Sequence, residues 1–444
     1  MFSIKSLLKP KIILVAITSM LVLSACSKDD NPVESGGSTS KVSGRISTSS
    51  ASQNVLAKTS GVESVDGATV ILAQVQADGS LKTVSTQSVQ TDVNGKFVVE
   101  TKLSDVKNLV VVAEKASAKW KAVVSAQVKS GTTVYAPPLN SESTTEADLY
   151  IKLVSSGQAD ANSESDLKLF INSESAAEIN GNSDAETKFI NAFSAHAQAT
   201  AQAAGNSYFG LTNAQVQAFL KAKADASAKL DQDLYMSGDS DSDVEAAYNN
   251  YENTVLTANS TNNINANVYA ELMRIGLSAY TNASASMQSQ ARFATSKSFY
   301  LRYALVLNYA MKQQFQAAGA SSDQVNSVNS AGVSLYSSIK SSANLDDVNN
   351  AFIQYQSSIK SQLKVTLNSY ASFIDTIDSN VNSTGGAKTV LTSSINVGVS
   401  FSAVINAYIA FYNSIKTLAQ ATITGASSTQ VNAASQILIM ANMN

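Results

Sequence analysis

Covalent or metal chemistry needs nucleophiles, bases or ligands at spacings that let them meet, and the 444 residues of this chain supply few. There is one cysteine, Cys26, and one histidine, His196, so a His/Cys zinc site and a Ser-His-Asp triad both lack material. His196 lies in the Ala-rich "FINAFSAHAQATAQAAG", a helical stretch, and is expected to be structural, at the surface or the core edge. In "SGDSDSDVE", Asp239, Asp241 and Asp243 are spaced like the first ligands of an EF-hand calcium loop. Val244 stands where that loop needs Gly, however, and Asn250 where it needs Glu. The three acids are therefore expected to form a turn that favours the next helix's N-terminus, with metal binding as the other reading. Two carboxylates distant in sequence can meet and hydrolyse a glycoside. Sugar sites usually use aromatic platforms, and the C-terminal half has tyrosines but no Trp. Tyr300, Tyr303, Tyr309, Tyr408 and Tyr412 recur at helical spacing, which predicts core or core-edge positions first and an exposed Tyr cluster for a glycan or protein second. No phosphate loop precedes a helix, and no haem, zinc or nucleotide cofactor is expected.

Cys26 calls for a different chemistry. Lys5, Lys9 and Lys11 precede a run from Ile12 to Leu23 that is nearly all apolar or small. This is the charged and apolar part of a secretory signal, shorter than the ~20 residues needed to span a bilayer. It ends Leu23-Ser24-Ala25-Cys26, which resembles the lipobox of bacterial lipoproteins. The resemblance implies cleavage before Cys26, a diacylglycerol on its thiol and acylation of its amine. Several acyl chains at about 0.8 kcal/mol per buried CH₂ anchor firmly, so a membrane partner is expected through this lipid. Ser27 follows, where an Asp would resemble an inner-membrane retention signal. Lys28-Asp29-Asp30 resembles the Lys-acidic-acidic surface-export signal of some Gram-negative lipoproteins, which implies the outer membrane and exposure at the cell surface. "NPVESGGSTS", residues 31–40, reads as a flexible tether.

Cleavage would remove three lysines and no acids, leaving a chain of net charge −3 still more acidic and without a basic run. Nucleic acid is therefore not expected as a partner. Charged residues are 15%, below the ~25% of an average domain, consistent with export. With no second cysteine, packing rather than disulfides must hold the fold.

From about 41 to 155 the apolar residues recur with a period near two. "VSGRI" (42–46), "GATVILAQV" (67–75), "KTVSTQSVQ" (82–90), "GKFVVETKL" (95–103), "NLVVVAEK" (108–115) and "WKAVVSAQV" (120–128) are of strand length and separated by turn residues. A last strand is expected from Ala147 to Val154. In "TDVNGKF" (91–97), Asn94-Gly95 suits the positive φ angles of a tight hairpin, and Asp92 can bond the backbone two residues on. "VSGRI", "VDGATVIL" (65–72) and "TDVNGKF" occur in the order seen in the carboxypeptidase regulatory-like domain, a transthyretin-like β-sandwich, which this quarter of the chain resembles. Asp66 stands where that family has Pro. The resemblance implies an accessory spacer or stability module, with no catalytic residues. Trp120, the only Trp, is expected in the sandwich core.

From about 156 to 444 the period lengthens to near 3.5, and no Pro follows Pro138. The apolar set from Leu345 to Ile377, spaced three or four apart throughout, predicts one long amphipathic helix capped by Asn344. Ser242 through Glu245 read as a capping box. Other helices are expected near 185–204, 212–236, 264–290, 293–317, 322–342, 387–420 and 428–442, with Gly205, Gly238, Gly319 and Gly385-Gly386 at breaks. The expected architecture is thus β then α: a signal (1–25), lipidated Cys26 and tether (26–40), a β-sandwich (41–155) and an antiparallel helical bundle (156–444). It suggests a non-enzymatic surface lipoprotein whose helical head binds a protein or glycan or joins an envelope complex. A carboxylate-dependent, glycosidase-like hydrolase in the head is the alternative.

Overall fold

The computed structural model describes residues 39–49, 62–160, 162–237, 240–395 and 400–444. An N-terminal β-rich region is followed by a helical region. The strands are β1 (Ser40–Arg45), β2 (Ser47–Ser49), β3 (Val62–Ser64), β4 (Thr69–Val75), β5 (Leu81–Thr83), β6 (Val89–Gln90), β7 (Lys96–Thr101), β8 (Leu109–Lys115), β9 (Ala118–Val124) and β10 (Thr133–Tyr135). One sheet has the order β10-β1-β7, with β10 parallel and β7 antiparallel to β1. A larger antiparallel sheet runs β5-β4-β8-β9, with β6 also on β4, and β2 pairs with β3 alone.

The turn after β6 departs from the hairpin expectation. Only Gly95 takes a positive φ, +70°, and the strands on either side join different sheets, β6 to β4 and β7 to β1. Asp92 does close the turn, its Oδ1 accepting from the N–H groups of Asn94 at 2.9 Å and Lys96 at 2.8 Å. Gly44 faces Phe97 across the β1–β7 pair, and a Cβ there would fall 2.2 Å from the ring. The Gly of "VSGRI" and the Phe of "NGKF" are thus two halves of one contact.

The central strands of the larger sheet are buried on both faces. Leu109, Val111 and Ala113 of β8, with Val70 and Leu72 of β4, pack with Val42, Phe97 and Val99 of the first sheet. Val110 and Val112 of β8 and Val123 of β9 face the opposite way, into the core built by the helices. That is why "LVVVA" is a continuous apolar run rather than an alternating one. The described fold is accordingly one compact unit.

The helices are α1 (Ser141–Ser155), α2 (Ser163–Phe170), α3 (Ser173–Ile179), α4 (Ser183–Ala204), α5 (Asn213–Met236), α6 (Asp241–Thr261), α7 (Ala266–Ala283), α8 (Ser289–Ala317), α9 (Ser322–Ser341), α10 (Leu345–Thr366), α11 (Ala371–Asn382), α12 (Ala387–Ile395), α13 (Phe401–Thr422) and α14 (Ser428–Asn442). None of these is long and apolar enough to cross a membrane. Sequential neighbours pack against one another, as α5 with α6, α7 with α8, α8 with α9 and α13 with α14, and α4 lies along α7.

Four further expectations are corrected. Ala147–Val154 is not a strand but the second half of α1. Asn140 and Ser143 form a capping box that starts a helix, and Ala147, Tyr150 and Leu153 then fall on one buried face. The cap of α6 is Ser240, whose Oγ accepts from the Asp243 N–H at 3.2 Å, so Ser242 lies inside the helix. The long helix through 377 is two, α10 and α11, because Leu367 leaves helical geometry at φ −108°, ψ 51° while its side chain stays in the core. The segment 387–420 is likewise two helices, α12 and α13. Asn344 does cap α10, accepting from the Asp347 N–H at 2.9 Å.

Candidate functional site

The strongest concentration of chemistry is buried where α2 and α5 meet the end of β9. Helix α2 is short and carries Asp166 and Lys168 two positions apart. On α5 the buried stripe Phe219, Ala222, Lys223, Ala226, Ser227, Leu230 and Asp231 includes two charges. The helices cross so that each charge meets its opposite, Lys223 with Asp166 and Lys168 with Asp231. A register shift would leave these charges unpaired in a dry interior, so the paired order helps fix how α2 lies on α5.

The second pair is the more deeply enclosed, with side-chain exposures of 3% for Lys168 and 0% for Asp231. Lys168 Nζ also donates to Ser125 Oγ at 2.8 Å, and the Ser125 N–H donates to Asp231 Oδ2 at 2.9 Å. Ser227 Oγ donates to Ser125 Oγ at 3.0 Å. Ser125 directly follows β9, so this network binds the sheet to the helices. A second lock lies at the C-terminal end of α5. Ser43 of β1 donates to Tyr235 Oη at 3.0 Å, Arg45 donates to the carbonyls of Leu234 and Ser237, and Tyr135 lies 4.9 Å from the Tyr235 ring.

Further acids surround the crossed pairs. Glu146 of α1 is buried, and burial pushes its carboxyl up to about 8 against the opposing pull of Lys168. Glu252 of α6 accepts from Tyr269 Oη at 3.2 Å, and burial raises it to about 7 against Arg302 and that hydrogen bond. Burial likewise raises Glu164 to about 7 and Asp231 above the usual carboxylate range, both opposed by Lys168. Arg302 of α8 lies over the Tyr248 ring at 3.7 Å. Glu271 of α7 stands apart, hydrogen-bonded by Asn267 Nδ2 at 3.2 Å and raised by burial to about 8.

Protonated acids near neutrality are what general acid catalysis requires. A hollow of about 530 Å³ lies elsewhere, between α12 and α13, lined by Val390, Leu391, Ala407, Phe411 and Leu418 with none of these acids. Substrate-sized space and acid groups therefore do not coincide there.

Cys26, Ser27, Lys28, Asp29, Asp30 and Asp239 lie outside the described residues. Asp241 begins α6, and Asp243 sits in its first turn, where its carboxylate accepts from Ser240 Oγ at 2.7 Å. Among the described residues no group of three or more His, Cys, Asp or Glu could hold a metal. His196 is deeper than expected. It is enclosed in α4 with ring centroids 5.0 Å from both Phe170 and Phe299, and burial holds it down to about 3. Gly276 of α7 makes room for it, since a Cβ there would fall 2.5 Å from His196 Nδ1. Tyr300, Tyr303, Tyr408 and Tyr412 are core residues and Tyr309 is half-buried, as their spacing predicted. Trp120 is half-buried against the β core.

The crossed pairs were missed from sequence, although a signal existed: Lys223 and Asp231 fall on the same helical stripe as Phe219, Ala226 and Leu230. A charge in register with an apolar stripe needs a partner, but the partner is 57 residues away for Lys223 and 63 for Asp231, which local spacing does not reveal. Comparison with protein-family models, curated proteins and solved structures finds no match for this chain.

Proposed function

We propose that this chain is a bacterial lipoprotein held in the outer membrane through a lipidated Cys26 and exposed at the cell surface, with no catalytic role. In this reading the β-rich region is a transthyretin-like sandwich and the helices form an antiparallel bundle that binds a protein or glycan or serves in an envelope complex. The observation that carries it is the order of segments: charged and apolar signal, Leu23-Ser24-Ala25-Cys26, Lys28-Asp29-Asp30, polar tether, then the folded unit. The packing of the tyrosines into the core and the pairing of Asp166 and Asp231 with lysines support a binding or structural role. The sheet that shares its strands with two cores would make the β region a rigid pedestal for the helices.

The test is metabolic labelling with palmitate, protease shaving of intact cells and crosslinking followed by mass spectrometry. Wild type should be labelled, shaved and recovered with companions, and Cys26→Ala should lose the label. Label retained in Cys26→Ala, or protection from the protease, would overturn the anchor or its placement. A carboxylate-dependent hydrolase is the second reading, favoured by the acids raised to near neutrality, Glu146 and Glu252. Glycoside turnover by the purified chain that disappears in Glu146→Gln or Glu252→Gln would establish it in place of the first.

A further inference from the structure

A chain with one cysteine cannot staple itself with a disulfide. Another covalent staple open to side chains alone is an amide between a lysine amine and a carboxyl group. Its formation needs the two groups in contact away from water, a donor on the oxygen where negative charge builds, and a neighbouring acid to pass protons. Lys168 and Asp231 meet the first two through their contacts, and a buried acid near them offers the third. They are in direct contact and nearly fully enclosed. The backbone N–H of Ser125 already holds Asp231 Oδ2, while Lys168 Nζ lies against Oδ1. Glu146, buried on α1, is close enough for its charge to act on both partners.

We propose that Lys168 and Asp231 become joined by an intramolecular isopeptide bond that ties α2 to α5 beside Ser125. One proton first passes from the lysine ammonium to Asp231 Oδ1, which frees the nitrogen lone pair and makes the carboxylate an acid. The nitrogen then attacks Asp231 Cγ, and the carbonyl electrons move onto Oδ2, where the Ser125 N–H holds them. Collapse of this intermediate reforms the carbonyl and expels Oδ1. One C–N bond forms and one C–O bond breaks. Two protons from the lysine ammonium leave with Oδ1 as water, the second relayed through Glu146, which ends in the protonation state in which it began. The ion pair and the amide plus water are both neutral, so no oxidant, reductant or activating co-reactant is required. Burial that keeps Glu146 protonated near neutrality suits it to the relay. The other crossed pair, Lys223 and Asp166, is buried too, but among the described residues no backbone N–H donates to its carboxylate.

Such a bond would close a long stretch of chain at the point where sheet and helices are joined, a useful place for a staple in a protein exposed outside the cell. Ion pairs at the surface of the same molecule, such as Lys221 with Asp225, are open to water and lack these neighbours.

The experiment is tryptic digestion of the purified wild-type protein and tandem mass spectrometry. The expected product is a branched species in which peptide 153–188, uncut at Lys168, is joined to peptide 230–274 and is lighter than their sum by one water. Asp231→Ala should abolish this species, and Glu146→Gln, with far-UV circular dichroism unchanged, should leave the two peptides unlinked. Recovery of linear peptides 153–168 and 169–188 from wild type, with no branched species, would overturn the proposal without reference to any variant. A link at Lys223 and Asp166 instead would overturn the assignment, and an undiminished bond in Glu146→Gln would overturn the relay.

Discussion

Val112 tests whether the β-rich and helical regions are one cooperative structure. It is 4% exposed and lies in β8, with its side chain in the core that the helices build. Its neighbour Val111 is 0% exposed and faces the core shared by the two sheets. Replacing either by Ala deletes two buried carbons, about 1.6 kcal/mol at ~0.8 kcal/mol each. The cavity left behind adds on the order of 1 kcal/mol, for an expected cost of about 2 to 3 kcal/mol. Two probes can follow the regions separately. Trp120 is the only Trp and packs against the β core, so its fluorescence reports the sheets, while far-UV circular dichroism is dominated by the helices. Because β4, β8 and β9 serve both cores, urea should unfold wild type with coincident midpoints by the two probes. Val111→Ala and Val112→Ala should each lower both midpoints together. Val98→Ala, at a 47% exposed position of β7, should stay within about 0.5 kcal/mol of wild type. Separate midpoints in wild type, or a Val112→Ala variant whose helices weaken while the Trp120 transition stays in place, would refute the shared layer.

His196 is neutral when folded because burial, then Lys223, holds it at about 3 against an ordinary 6.5. A depressed value means its contribution is present above about pH 6.5 and lost on acidification, at up to about 1.4 kcal/mol per pH unit. Melting temperatures measured across that range should fall less steeply for His196→Phe, and identical acid arms would count against the assignment. Glu271 behaves in the opposite sense. Raised from 4.5 to about 8 by burial, it favours the fold below its ordinary value, and that contribution is lost as pH climbs through about 8. Glu271→Gln should flatten the alkaline arm of the same curve. Gly276→Ala should destabilise by about 1 to 3 kcal/mol through crowding, outweighing the roughly 1 kcal/mol of helix propensity it gains. A Cβ there meets Thr200 Oγ1 at 2.3 Å and His196 Nδ1 at 2.5 Å, and a variant as stable as wild type would show that α4 can yield.

Much of the fold was legible from spacing. The strands β1, β4, β7, β8 and β9 and the helices from α4 onward follow the period of their apolar residues, because a side chain's face is set by local geometry alone. Misreadings fell where local rules leave a choice. "ADLYIKLV" is apolar enough to be strand or helix, and the capping box at Asn140 decided for helix. The stripe through Leu367 keeps its spacing across a break, because the side chain can stay buried while the backbone turns. The helices α2 and α3 are too short to show a period. The candidate site was the least legible part, since Asp166, Lys168, Lys223 and Asp231 become chemistry only as pairs.

By itself the sequence determined what is written in local order: the passage from strand-like to helical spacing, though not the point near 141 where it occurs, the Asn344 cap, and the scarcity of histidine and cysteine. Only the tertiary structure decided that β8 is buried on both faces, that "TDVNGKF" passes between sheets, that His196 is enclosed by Phe170 and Phe299, and that the buried charges cross from α2 to α5. The division has a physical reason. Turn, cap and periodicity preferences act over a few residues, whereas the cost of burying an ion is relieved by whichever opposite charge the folded chain brings beside it, however far along the sequence that charge lies.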